Sequence, residues 1–234
     1  MTRPTVLITG GSGFIGSHIA ALASKHADVR ILDNFRSGFR ENLSGITHEL
    51  VEGSIEDIDV LKDVMSGVDY VFHLAAMISV QESMLKPAEC VAVNTVGTLN
   101  VLEAAAQAGV KKLVLSSTAA IYGDDPTLPK VESLPPCPKS PYAVTKLDGE
   151  YYCAMYTAMG RLDTACLRYF NVFGPRQNPK SAYAAAVPIF LSRALRGEDI
   201  TIFGDGGQTR DFVHVSDIAG ANWHAATTAD MTGV

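Results

Sequence analysis

The sequence predicts an α/β chain of the doubly wound class, with a parallel sheet covered by helices on both faces and a smaller C-terminal lobe. Three observations carry that reading. Short apolar runs alternate with segments of helical periodicity as far as about residue 169. The first run, Val6 to Thr9, opens into Gly10, Gly13 and Gly16 at G-x-G-x-x-G spacing, directly before a helical pattern that starts at Phe14. The 234 residues are 47% hydrophobic, enough to bury a large core in one domain or in a domain with a small lobe.

The elements follow in order. Ile15, Ile19 and Leu22 recur at helical spacing after the glycine turn. Gly10 permits the tight turn, Gly13 lets backbone approach a pyrophosphate, and Gly16 lets the helix press onto the sheet. Free amides and the positive end of the helix then face the phosphates. Val29 to Asp33 is a second strand ending in a carboxylate, where a dinucleotide unit places the acid that binds the adenosine ribose. A carboxylate there repels a 2′-phosphate and favours NAD over NADP, although Arg36 and Arg40 follow closely; Asp33 also reads simply as a turn residue. A third strand spans about His48 to Val51, and a helix with Val60, Leu61, Val64 and Met65 on its apolar face spans about Asp57 to Met65. Val68 to Leu74 is a strand buried on both faces, and its His73 reads as a packed, hydrogen-bonded residue.

Pro87 to Ala108 reads as one long helix with Gly109 as its C-cap. A strand at Lys111 to Ser116 precedes a proline-rich loop. Ser140 and Pro141 then supply an N-cap and a first-turn proline for a helix running to about Met159. Tyr142 and Lys146, four apart on this helix, share a face. An ammonium beside a phenol favours the phenolate, so the spacing predicts a tyrosine whose pKa is lowered toward a general base. A surface helix pair is the alternative reading of the same spacing. A sixth strand spans Thr164 to Tyr169. Beyond Pro175 the pattern predicts a helix over about Ala184 to Arg196, strands at Ile200 to Phe203 and Phe212 to Val215, and a helix capped by Ser216.

The net charge of −6 without a basic stripe argues against a nucleic-acid partner. No apolar run has membrane-spanning length, and the start of the first strand near Met1 leaves no room for a signal peptide. Cys90, Cys137, Cys153 and Cys166 are too scattered for a zinc site or disulfide frame and read as reduced thiols of a cytoplasmic protein. No metal site is expected.

Eight segments together identify a family resemblance: TGGSGFIGSH at Thr9, LDN at Leu32, HLAA at His73, NTVGTLNVLEAA at Asn94, SSTAAIYG at Ser116, SPYAVTK at Ser140, RYFNVFGPRQ at Arg168 and FGDGGQTRDFVHVSD at Phe203. The chain resembles the extended short-chain dehydrogenase/reductase family, and within it the nucleotide-sugar 4-epimerases of UDP-glucose or UDP-N-acetylglucosamine type. The resemblance implies Tyr142 as base, Lys146 as its activator and holder of the nicotinamide ribose, and Thr118 as the hydroxyl relaying the sugar O4 proton. It implies that Gly10, Gly13, Phe14, Ile15, Gly16, Asp33 and Asn34 hold the adenosine half of NAD. Ile55, Leu74, Ala75, Ala76, Asn94 and Ser116 would line its path toward the nicotinamide. Ser54 stands where the family often has aspartate and would bind the adenine. Ser83, Asn171, Val187 and Arg210 match positions near the sugar and diphosphate of a UDP-sugar.

The family organisation implies a Rossmann domain over residues 1–174 and a partial substrate lobe over 175–234. It also implies a homodimer paired through the helices near 87–108 and 141–159, with Val91, Leu99, Leu102, Tyr152 and Met155 supplying apolar surface. Family members extend further, so the lobe reads as truncated and the chain as an impaired enzyme. Two other activities share the scaffold: 4,6-dehydration or decarboxylation of a nucleotide sugar, and catalytically silent NAD binding. The family's dehydratases carry an Asp-Glu pair after the threonine, where this chain has Ala119 and Ala120.

Overall fold

The computed structural model describes residues 3–178, 186–202 and 204–234. Six strands form one parallel sheet: β1 (Thr5–Thr9), β2 (Asp28–Asp33), β3 (Glu49–Glu52), β4 (Tyr70–His73), β5 (Lys112–Thr118) and β6 (Asp163–Tyr169). Their spatial order is β3-β2-β1-β4-β5-β6, so the order reverses beside β1. In an open parallel sheet, ligands bind at that reversal, beyond the carboxyl ends of the strands.

Alternation along each strand sorts side chains to two cores. Leu7, Leu32, Val71 and Leu113 face one layer, made of α2 (Ile58–Met65), α5 (Gly97–Ala108) and α6 (Pro141–Ala158). Val6, Ile8, Ile31, Phe72 and Val114 face the other, where α1 (Phe14–Ala23) supplies Ile19, Ala20 and Ala23. Local chemistry sets the helix ends. Asp57 caps α2 by accepting from the amides of Asp59 and Val60, and Ser140 caps α6 by accepting from Ala143. Gly109 ends α5 at φ 72°, a conformation few other residues adopt cheaply.

The expected helix over Pro87 to Ala108 is continuous but not uniform. It opens as α4 (Pro87–Cys90), widens into a π-helical segment at Val91–Val96 and returns to α-helical geometry in α5. A short helix, α3 (Val80–Leu85), precedes it and has no counterpart in the sequence reading.

The C-terminal part departs most from expectation. β7 (Asn171–Phe173) pairs in parallel with β8 (Phe212–His214), apart from the main sheet. Between them lies α7 (Ala186–Leu195), on which no residue is buried and Leu191 and Leu195 are exposed. The proposed start of this helix at Ala184 lies outside the described residues. So does Phe203 at the end of the expected Ile200 strand, whose described residues form no strand. The next helix, α8 (Val215–Thr227), is capped by the His214 ring rather than by Ser216. It does not join a separate lobe. Ala219, Trp223, Ala225 and Ala226 pack with α1, Phe72 and Val114, completing the second layer over the sheet. α8 therefore packs with the second layer of the sheet, although it lies beyond residue 174.

Lys112, almost wholly buried, donates to the carbonyls of Thr228, Ala229 and Met231 just past α8. Gly233 then forms a parallel bridge with Ala165 of β6. Among the described residues no helix is long and apolar enough to cross a membrane. All four cysteines are free, and Cys90, Cys153 and Cys166 are buried.

Candidate active site

The loop between β1 and α1 shows why its glycines stand where they do. Gly10 has φ 74°, and a Cβ there would lie 2.7 Å from the Ala75 amide nitrogen. A Cβ on Gly16 would sit 2.3 Å from the Gly10 carbonyl oxygen, so this glycine lets the helix close on its own loop rather than on the sheet. At Gly13 a Cβ would meet only that same oxygen, at 3.2 Å, leaving its other side open. Gly13 brings no capping side chain to α1, and among the described residues its first amides are left for a ligand.

Asp33, at the end of β2, is buried and accepts hydrogen bonds from the amides of Ser12 (2.9 Å) and Phe35 (2.8 Å). The two arginines that follow are already engaged. Arg36 pairs with Glu82 and Glu89 at 2.8 and 2.7 Å, while Arg40 pairs with Glu52 and lies 4.2 Å over the Phe35 ring. Neither is a free cation beside Asp33.

A cavity of about 570 Å³ joins this carboxylate to the ends of β5 and α6. Of the residues expected to bind the cofactor, Gly10, Gly13, Phe14, Ile15, Gly16, Asp33, Asn34, Ser54, Ile55, Leu74, Ala75, Ala76, Ser116, Tyr142 and Lys146 all line it. Asn94 does not. Its amide is buried, accepting from Met77 N–H (2.7 Å) and donating to the Met77 carbonyl and the Thr145 hydroxyl. It pins the turn after β4, which places Ala75 and Ala76.

At the chemical end, the Lys146 ammonium is buried and donates to the Ser116 carbonyl at 2.9 Å. Burial holds its pKa down to about 8. Burial also pushes the Tyr142 phenol above its ordinary value, and a hydrogen bond from Thr118 acts in the opposite direction. This corrects the expectation from spacing. Lys146 shares a helix face with Tyr142, yet its proton is aimed at β5, so desolvation dominates the phenol. Thr118 also accepts from the Ala120 amide, which orients its hydroxyl.

The residues expected to bind substrate are not gathered into this cavity. Ser83 is fully buried; its hydroxyl donates to Val80 and accepts from the Tyr142 amide, so it supports the start of α6 from below. Asn171 donates to the Asp211 carbonyl across β7 and β8. Val187 is half-buried on α7, and Arg210 is exposed with a hydrogen bond to the Thr209 carbonyl. The sequence reading passed over Asn42, which ties the 3-10 turn at Arg40–Leu43 to the Ser12 carbonyl, and Tyr169, which bonds Ser116. Tyr169 lies within the RYFN segment, where its position beside Asn171 was the available signal.

The donor set suits a dinucleotide: bare glycine backbone and uncapped amides for a pyrophosphate, a fixed carboxylate for ribose hydroxyls, and small side chains at Ala75 and Ala76 beside the remaining path. Comparison with known proteins agrees. The UDP-glucose 4-epimerase of Mycolicibacterium smegmatis is 42% identical over 92% of this chain and 71% of its own length. The UDP-N-acetylglucosamine 4-epimerase from Methanobrevibacter ruminantium, solved with UDP-N-acetylmuramic acid, is 41% identical and superposes with a TM-score of 0.96 over 100% of this chain and 76% of its own. The Thermus thermophilus UDP-glucose 4-epimerase in complex with NAD is 40% identical with a TM-score of 0.86, over 98% of this chain and 76% of its own. The model of the NAD dependent epimerase/dehydratase family matches residues 6–233. With the glycine loop, the ribose carboxylate and the Tyr142–Lys146 helix meeting at one cavity, the chain belongs to the NAD dependent epimerase/dehydratase family, and NAD is its cofactor.

Proposed function

We propose that the protein is a nucleotide-sugar 4-epimerase acting on a UDP-hexose through a transient 4-keto sugar. One observation carries the reading. Tyr142 lines the cofactor cavity, the Thr118 hydroxyl acts to lower its phenol pKa, and the two residues that follow Thr118 are Ala119 and Ala120. Removal of water from C6 needs a carboxylic acid and a base where these alanines stand, and they transfer no proton.

When bound, NAD supplies the acceptor and donor of the C4 hydride and a positive ring charge that favours a nearby phenolate. Tyr142 takes the O4 proton and returns it, with the Thr118 hydroxyl relaying it. Lys146 holds the nicotinamide ribose while anchored to the Ser116 carbonyl. Gly10, Gly13, Phe14, Ile15, Gly16, Asp33 and Asn34 take the adenosine half. Arg210, exposed and without a carboxylate partner among the described residues, is assigned to the substrate diphosphate, with Asn171 and Val187 beside the sugar. Ser83 acts by carrying the Tyr142 backbone.

The assembly is a homodimer in this reading. Val144, Tyr151 and Met155 form an exposed apolar stripe on α6, and Val91 is exposed on the π segment, whereas Leu102 is fully buried and Leu99 and Tyr152 are half-buried. The free thiols suit a reducing cytoplasm. The test of function is incubation with a panel of UDP- and dTDP-sugars and NMR identification of the products. C4 epimers support the reading; a 4-keto-6-deoxy sugar or released carbon dioxide would overturn it. Light scattering at micromolar concentration tests the dimer.

A further inference from the structure

Asn222 is a wholly buried amide on a helix otherwise rich in alanine. Its Nδ2 donates to the Ile218 carbonyl at 2.7 Å and to the Tyr169 hydroxyl at 2.7 Å. The Ile218 carbonyl can only accept, which fixes the amide's orientation. Among the described residues Asn222 Oδ1 then has one partner, the Tyr169 hydroxyl at 2.9 Å. A buried carbonyl oxygen of this kind requires a donor, so the single phenolic proton goes to Oδ1. Tyr169 also lies 3.0 Å from the Ser116 hydroxyl. Having given its proton to Asn222, it can only accept there, and Ser116 must donate. The phenol is held protonated throughout, because burial pushes its pKa up to about 12.

The consequence falls on Ser116, which lines the cofactor cavity one residue from Ser117 and two from Thr118. Its main-chain carbonyl is bound by Lys146 and its hydroxyl proton by Tyr169. Only oxygen lone pairs remain for the cavity. We infer that Asn222 is a positioning residue that, through Tyr169, fixes the Ser116 hydroxyl as an acceptor selecting the amino end of the nicotinamide carboxamide. A carboxamide offers an N–H₂ donor and a carbonyl acceptor, and a group that can only accept chooses between them. The ring is thereby held in one orientation before substrate arrives.

This rests on NAD occupying the cavity, and the experiment separates the two claims. Dissociation constants are measured by calorimetry for NAD, for its deamidated analogue bearing a nicotinate carboxylate, and for ADP-ribose, which lacks the ring. Wild-type protein binds NAD at least about tenfold more tightly than the deamidated form, the effect expected when an acceptor faces a carboxylate instead of an amide. In Asn222→Leu the Ser116 hydroxyl is free to turn and donate, and that ratio falls by about tenfold while ADP-ribose affinity is unchanged. Tyr169→Phe, which keeps the ring and its packing, gives the same change. Loss of affinity for all three ligands together, or an unchanged ratio in both variants, overturns the inference. Failure of wild-type protein to bind NAD and ADP-ribose overturns the cofactor assignment beneath it.

Discussion

Acidification should destabilise this protein through one buried imidazole. His73 lies at the end of β4, 1% exposed, with Nδ1 2.7 Å from the Thr9 hydroxyl and Nε2 2.9 Å from that of Thr98. A neutral imidazole has one N–H and one lone pair, and two hydroxyls satisfy both. No carboxylate faces the ring among its described contacts. Burial, with a smaller contribution from the Lys146 charge, pushes its pKa from 6.5 down to about 3. Between those values the unfolded chain binds a proton that the folded protein refuses, so stability is complete above pH 6.5 and falls as pH drops toward 3. At 1.36 kcal/mol per pKa unit the full loss is about 4–5 kcal/mol, of which roughly 1.4 kcal/mol has gone by pH 5.5. The assay is urea unfolding of wild type and His73→Gln at pH 7.5 and 5.5. Wild type should lose about 1.3 kcal/mol more than the variant over that interval, because every other group titrates alike in both. The imidazole resonances of His73 should show no titration above pH 4. A ring that titrates near 6.5, or equal pH dependence in the two proteins, would refute the argument.

Four further outcomes are expected. Gly16→Ala drives a Cβ to 2.3 Å from the Gly10 carbonyl and should abolish measurable NAD binding by calorimetry, with about 1–3 kcal/mol lost from stability. NAD should bind more tightly than NADP, because Asp33 is fixed and Arg36 and Arg40 are committed to carboxylates; Asp33→Ala should narrow the gap, and equal dissociation constants would contradict it. Tyr142→Phe should lower turnover of a UDP-sugar about a hundredfold to ten-thousandfold while retaining NAD binding, since it removes only the proton acceptor. Glu150→Gln removes the carboxylate charge 2.7 Å from the Arg168 guanidinium, which is only 10% exposed, and should cost about 3–5 kcal/mol in urea unfolding, whereas replacing both by apolar residues should cost less.

The sheet was legible because its signals are local. The glycine spacing after Thr9, the carboxylate closing β2 and the capped start of α6 each depend on residues close in sequence, and each stands where expected. The adenosine half of the cavity follows from the same loop. What escaped was long-range partnership. Asn94 matched a cofactor position by its segment, but nothing nearby announces that Met77 would take both ends of its amide. Ser83 matched a substrate position, and its burial under Tyr142 depends on a helix, α3, that periodicity did not reveal. The Tyr142–Lys146 spacing gave the shared face correctly and the electrostatics wrongly, since burial is set by the surrounding layers and not by the helix itself. A pattern change at Pro175 suggested a new lobe, though the apolar face of α8 was already spoken for by α1 and the sheet.

That return of α8 to the sheet governs the order in which the molecule can be built. Residues 14–23 leave the ribosome early, but the helix that covers them beside Phe72 and Val114 is made from residues 215–227. Until then Phe72 lacks the Trp223 ring tilted against it at 6.4 Å, and the part of that face that α1 does not cover stays open to water. The dinucleotide loop can form before that layer closes, since its partners Asp33, Ala75 and Asn42 all precede β5. Cofactor binding during synthesis would therefore steady a half-covered sheet through the interval when it is most prone to aggregate. Nascent chains arrested before residue 215 should resist protease better with NAD than without it.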